Sequence, residues 1–222
     1  MSSKGAEGVS IVQMPSEFRV TPTDKRKAVH YFRHRARDYE SRVSHGFLQY
    51  LRATERACVL GQIQDLFLPG KRMIDIGCGG GYYSRKAKTG GMTVCSVDPV
   101  ADFVEMIRDS VDEAYVGDVE SLNVEKRYDL VLSTGVLEFV TDPEVALLNL
   151  CRLTASPGRL VILVPRAGWM GEAYRLEKAF SGFRVNLFES RWLSERTSRE
   201  GFRIRSISRP LPFNLVLSFE RL

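Results

Sequence analysis

The chain has 222 residues, enough for one domain with a sizeable core and hardly for two. With 44% apolar, 27% charged and 10% aromatic residues it is neither fibrous nor wholly disordered, and no apolar run nears the roughly 20 residues of a membrane helix. Four scattered cysteines without a CxxC pair exclude a zinc ribbon and a disulfide framework, and make a reducing cytoplasm the simplest home. The net charge of +5 is uneven: residues 19–56 hold ten Lys/Arg against four acids, residues 57–183 thirteen against seventeen, and residues 184–222 eight against four. Basic flanks around an acidic middle read either as solvated helix faces or as the approach to an acidic substrate or an anionic membrane surface.

Residues 1–17 read as a disordered leader without the apolar core of a secretory signal. A helix is predicted over residues 24–39, with Val29, Phe32, Ala36 and Tyr39 at helical spacing. Gly46 separates it from a second helix whose buried stripe is Leu48, Leu51, Val59, Ile63 and Leu66, ended by Pro69-Gly70. These two form a helical cap over residues 24–68 of a single domain spanning 18–222.

An alternation follows. Strands are predicted at 72–76, 93–97, 114–117 and 128–133, with helices after the first two, ending near Gly90-Gly91 and near Ser110. Asp142-Pro143 offers an N-cap and an N1 proline for a helix to Leu153, and Pro157-Gly158 turns into the apolar strand 160–164. A helix over 189–199 stops at Gly201, and the segments 202–208 and 213–220, joined through Pro210 and Pro212, read as an antiparallel hairpin closing the sheet. The expected fold is therefore α/β, a three-layer sandwich around a mostly parallel sheet.

The most informative stretch is Met73-Ile74-Asp75-Ile76-Gly77-Cys78-Gly79-Gly80-Gly81-Tyr82. An apolar strand ends in an acid and runs into glycines at alternate positions, which allow a sharp turn and close approach of a ligand to the backbone. The dinucleotide pattern G-x-G-x-x-G fails, because Tyr82 stands where the third glycine would be, and no Gly-Lys-Ser/Thr marks a phosphate loop. Asp75 would repel a pyrophosphate and suits a ligand with positive charge beside its nucleoside. Val97-Asp98-Pro99 closes the second strand, where a carboxylate can accept both protons of a ribose cis-diol. Gly117-Asp118-Val119-Glu120 follows the third, where an acid can accept from an adenine amino group, and Ser133-Thr134-Gly135 ends the fourth.

With these motifs in order at four successive strand ends, residues 28–165 resemble the class I S-adenosylmethionine-dependent methyltransferases, within them the small-molecule branch that includes the ubiquinone-biosynthesis O-methyltransferases. The resemblance implies a seven-stranded Rossmann-like sheet with an antiparallel last strand inserted beside the fifth. It implies S-adenosylmethionine as cofactor, with Asp75, Gly77, Cys78, Gly79 and Gly81 around the methionine moiety. Asp98 and Pro99 would border the ribose, Asp118 and Val119 the adenine, and Ser133 with Thr134 the methionine amine. The segment Tyr31 to Glu40 resembles the helix that caps the cofactor in many of these enzymes, which would lay Tyr39 over it.

The family's frequent L-E-H is Leu137-Glu138-Phe139 here, so a histidine often found near the reacting centre is missing. The catalytic candidates are His34, Tyr39 and Glu138; His30 and His45 read as surface residues, and no metal site is expected. Arg166, Gly168, Trp169 and Tyr174 follow the fifth strand, where Trp169 and Tyr174 read equally as core or as substrate contacts. The expected reaction is methyl transfer to an O or N atom of a small, acidic molecule. A nucleic-acid methyltransferase and a non-catalytic cofactor-binding protein are the competing readings. The first lacks a recognisable binding module, and the second sits badly with the intact Asp75, Asp98, Asp118 and glycine loop.

Overall fold

The computed structural model describes residues 19–36, 46–210 and 213–222, with side chains from residue 49 onward in the middle segment. The expected leader, Tyr39, His45 and the side chain of Leu48 lie outside these residues.

Helix α1 (Pro22–Arg35) starts two residues earlier than the sequence spacing suggests, because Thr21 and Asp24 form a reciprocal capping box with Pro22 at the first helical position. Helix α2 (Gly46–Ile63) follows, then β1 (Arg72–Ile76), α3 (Tyr82–Thr89), β2 (Thr93–Asp98), α4 (Ala101–Ile107), β3 (Glu113–Val116) and β4 (Tyr128–Thr134). A single turn of 3-10 helix, Leu137–Phe139, leads to α5 (Pro143–Leu153), capped as expected by Asp142, whose Oδ1 accepts from the N–H groups of Glu144 and Val145. The rest is β5 (Thr154–Pro165), α6 (Trp169–Phe180), α7 (Ser190–Arg199), β6 (Phe202–Ser208) and β7 (Asn214–Arg221). Sequence spacing did not reveal α6.

The seven strands lie in the order β3-β2-β1-β4-β5-β7-β6. Pairings from β3 to β5 are parallel, whereas β7 runs antiparallel between β5 and β6. The expected mixed sheet and the inserted last strand are both present. Alternation along the strands feeds two cores. Met73, Val94, Leu130, Leu132, Val161 and Val216 face α2 and α3, meeting Val59, Ile63 and Ala87. Ile74, Ile76, Val97, Val131, Ile162 and Leu217 face the other way, onto Leu147 and Leu150 of α5 and Leu193 of α7. Burial on both faces makes the strands read as nearly continuous apolar runs.

Candidate functional site

The carboxyl ends of β1 to β4 open into one cavity of about 520 Å³. The glycine loop forms its floor. The N–H groups of Gly77 and Cys78 donate to Val97 O at 2.7 and 3.2 Å, tying the loop to the end of β2. Gly77 has φ +72° and a Cβ there would lie 2.2 Å from Val136 Cγ2, so no side chain fits between the loop and the β4 end. Gly79 differs: at φ +50° a Cβ would meet nothing within 4 Å and would take up space in the cavity it lines.

Asp98, the last residue of β2, accepts from Gly79 N–H through Oδ2 (2.9 Å) and from Val100 N–H through Oδ1 (2.8 Å). It is 5% exposed yet lines the cavity, and burial lifts its carboxyl to about 6, the two N–H bonds acting the other way. Beside it, Val100, Phe103 and Val119 make an apolar slot with Asp118 at its rim. Asp118 forms an ion pair with Lys25 of α1, which also pairs with Glu120. Glu120 in turn accepts from the N–H groups of Thr141 and Asp142 at 3.1 and 2.8 Å. Burial works against the Lys25 charge, but the two carboxylates more than compensate and raise its pKa above the ordinary lysine value. Helix α1 is thereby fastened across the mouth of the slot. The glycine floor, the carboxylate beside it and the apolar slot fit a nucleoside with a flexible tail, the shape of S-adenosylmethionine.

Among the expected cofactor residues, Gly77, Cys78, Gly79, Asp98, Pro99, Asp118, Val119 and Thr134 line the cavity. Asp75 does not. It shares strand parity with Met73 and points under α3, where Ser84 Oγ donates to its Oδ2 at 2.6 Å and Ser96 Oγ donates to Ser84 Oγ at 2.9 Å. Burial raises the Asp75 carboxyl to about 7, the Ser84 bond opposing and the Asp98 charge assisting. Ser133 is fully buried outside the lining, and Gly81 is a packing residue whose Cβ would lie 2.4 Å from Ile107 Cγ2. Burial first, and the Asp75 and Asp98 charges second, raise the Cys78 thiol, keeping it protonated.

The far end of the cavity is aromatic and cationic. Tyr31, Phe32, Phe139, Tyr174 and Phe213 line it, Tyr174 and Phe213 stacked at 4.7 Å and 25°. Arg35, Arg52, Arg56 and Lys178 also reach it; the Arg35 guanidinium lies 3.6 Å over the Tyr31 ring and that of Arg56 3.9 Å over Tyr82. Glu55 accepts a hydrogen bond from Asn214 Nδ2, and burial pushes its carboxyl upward. Glu138 is buried, lines the same end and has no hydrogen-bond partner for Oε2 among the described residues. Burial drives its carboxyl to about 8, against the nearby charges of Arg52 and Lys178 and with that of Glu55.

Of the catalytic candidates only Glu138 is at the cavity. His34 lies on the outer side of α1, its Nε2 2.9 Å from Nε2 of His30, and Tyr39 is outside the described residues. Trp169 points away into solvent while Tyr174 lines the cavity. Lys25, Glu55, Lys178 and Asn214 were not singled out from sequence. The Thr21-Pro22-Thr23-Asp24 signature would have moved the start of α1 and put Lys25 in its first turn; Glu55 and Asn214, 159 residues apart, carry no local signal.

Comparison with known proteins agrees with this geometry. Residues 74–162 match the model of a methyltransferase domain family. The ubiquinone biosynthesis O-methyltransferase of Bradyrhizobium sp. (strain ORS 278) is 31% identical over 102 residues, 43% of this chain and 40% of that protein. Its namesake from Bordetella parapertussis is 32% identical over 112 residues, 46% of each. The match thus spans less than half the length of these curated relatives. Among solved structures, magnesium protoporphyrin IX methyltransferase from Synechocystis PCC 6803 with bound S-adenosylhomocysteine superposes with a TM-score of 0.70 at 19% identity, over 89% of this chain and 100% of that one. A possible histamine N-methyltransferase from Thermotoga maritima gives 0.66 at 20% identity, over 87% and 99%. The chain thus carries a methyltransferase domain over residues 74–162, with the glycine loop and the Asp98 corner inside it, in a fold shared with methyltransferases of known structure.

Proposed function

We propose that the chain methylates an oxygen or nitrogen atom of a small acidic acceptor with a flat apolar body, held at the aromatic end of the cavity. One observation carries this: buried Glu138, its Oε2 unpartnered among the described residues, faces a pocket continuous with the Asp98 corner. Asp98 would hold the ribose, the loop of Gly77 to Gly80 the methionine part, and Val100, Phe103 and Asp118 the adenine. When bound, S-adenosylmethionine supplies an electrophilic methyl group on a sulfonium that leaves as a neutral thioether.

The chain's own residues do the rest. Tyr174 and Phe213 stack against the acceptor body and exclude water, which favours alignment of the attacking atom. Glu138 takes the proton from the acceptor O–H or N–H at Oε2 as the new bond forms. Arg35, Arg52, Arg56 and Lys178 bias the pocket toward an anionic group, since burial raises the Glu138 carboxyl to about 8 and it opposes them weakly near neutral pH. Two comparison proteins, named for ubiquinone biosynthesis and for magnesium protoporphyrin IX, are small-molecule methyltransferases by name and support the class. The test is incubation of the protein with S-adenosylmethionine and fractionated metabolite extracts, read by mass spectrometry. A gain of one methylene mass on an acidic aromatic compound is the expected result; gain only on neutral aliphatic compounds, or only on RNA, overturns the reading.

A further inference from the structure

We propose that α6 and the outer side of α1 together form a docking face for an anionic lipid surface. The apolar half of this face is Trp169, Ala173, Leu176 and Phe180, spaced so that all four fall on one side of α6. Trp169 is 81% exposed, Leu176 59% and Phe180 85%. A helix that ends in the core hides such a stripe, and α6 turns it outward. The two acids flanking the stripe are neutralised on the helix itself, Glu172 by Arg175 at 2.9 Å and Glu177 by Lys178 at 3.0 Å.

The basic half lies beside the end of α6. Arg26, Lys27, His30, Arg33 and His34 occupy the exposed side of α1, and the only acid of that helix, Asp24, is buried and turned to Thr21 and Arg184 N–H. A groove between the helices is lined by Arg26, Lys27, His30 and His34 on one side and by Ser181 and Gly182, which follow Phe180, on the other. No acid pairs with Arg26, Lys27 or Arg33 among the described residues, where no helix is long and apolar enough to cross a membrane.

A lipid surface is the occupant that uses both halves. Indole and phenyl groups settle at the headgroup boundary while lysine and arginine meet the phosphates, and such peripheral binding needs the two signals together. A nucleic acid would answer the basic stripe and leave Leu176 and Phe180 without partners. A two-fold dimer through this face would bring two basic stripes together. The opposite side of α6 carries Tyr174 and Lys178 into the cavity, so docking would bring the acceptor pocket up to the bilayer.

The experiment is flotation of the full chain with vesicles of phosphatidylcholine alone or with about a quarter phosphatidylglycerol. Calorimetry with S-adenosylhomocysteine would confirm that each variant is folded. Wild type is expected to float only with the anionic vesicles. The triple variant Trp169→Ser, Leu176→Ser, Phe180→Ser and the triple variant Arg26→Gln, Lys27→Gln, Arg33→Gln are each expected to lose about tenfold or more in vesicle affinity while binding the nucleoside as before. No flotation of wild type, or flotation unchanged in either variant, overturns the proposal. So does binding of tRNA without binding of vesicles, or a dimer in sedimentation that the serine variant dissolves.

Discussion

The carboxylate of Asp98 accepts the Gly79 N–H at 2.9 Å, so the residue proposed to hold a ribose also sets the shape of the glycine loop beside it. Asp98→Ala should therefore weaken S-adenosylhomocysteine binding by roughly one to three orders of magnitude, the loss of one charge-assisted hydrogen bond or two. Calorimetry on the folded variant measures it, and unchanged affinity would contradict the ribose assignment.

The same carboxyl predicts a pH dependence. Its pKa in the folded protein is about 6, raised by burial, and only the ionised form accepts two hydroxyl protons. Affinity should be flat above that value and fall about tenfold per unit below it, because a proton must leave before the diol can bind. Stability has the opposite sign: a raised carboxyl favours the folded state at low pH and loses that advantage as pH rises through 6. Binding isotherms from pH 5 to 8, compared with Asp98→Asn, separate the two effects.

Gly77 and Gly79 should fail differently. Gly77→Ala places a methyl group 2.2 Å from Val136 Cγ2 at a positive φ and should lower stability by about 2–4 kcal/mol, seen as a drop in Tm. Gly79→Ala meets no neighbour, so its folding penalty is the backbone strain of about 1 kcal/mol, and its main effect should be lost nucleoside affinity. Equal melting temperatures for the two variants would contradict the packing assigned to Gly77.

Lys25→Met should unfasten α1. The variant leaves Asp118 and Glu120 facing each other without their shared cation, and the half-buried position limits the penalty to about 1–3 kcal/mol. Faster proteolysis within residues 19–36, with the sheet intact by circular dichroism, is the expected reading. Cofactor affinity should fall with it, since α1 covers the slot.

Glu138→Gln keeps the shape and removes the proposed base. Turnover should fall by about 10²–10⁴-fold with little change in cofactor affinity. In wild type, activity should rise with pH up to about 8, as Glu138 ionises among Arg52, Lys178 and Glu55, and the variant should lose that limb. A wild-type rate independent of pH between 6 and 9 would remove Glu138 from the proton path.

Much of this was legible in the chain because it is local. The strand-turn-helix at Asp75 to Tyr82, the Asp98 corner and the Asp142-Pro143 cap are each complete within a few residues. The side of the sheet to which Asp75 belongs was hidden, since Met73, Ile74 and Ile76 are all apolar and a strand covered on both faces shows no alternation to count. Helix α6 lacks a sequence cap, since Gly168 before it offers no side-chain hydrogen bond, and Gly171 in its first turn interrupts a stripe that otherwise keeps helical spacing. The Glu55–Asn214 and Lys25–Asp118 contacts join residues far apart in the chain, and only the folded sheet brings them together.

Antiparallel β7 has a consequence for how such a chain changes over time. It carries Asn214 to the cavity from the end of the sequence, while Lys25, Tyr31, Arg35, Arg52 and Glu55 come from the beginning. The stretch shared with the methyltransferase domain family, residues 74–162, holds the nucleoside-side residues from Gly77 to Val119, but of the aromatic end it holds chiefly Glu138 and Phe139. Under the proposed function, the nucleoside side is therefore written mainly in the central passage, closed over by Lys25 of α1, and the acceptor side mainly in the two ends. On that reading, substitutions in the outer passages away from Lys25 should exchange one acceptor for another with little adjustment in the inner one. Detectable kinship should fade first in those segments, and a transplant of residues 74–162 from a relative should leave the choice of acceptor with the host.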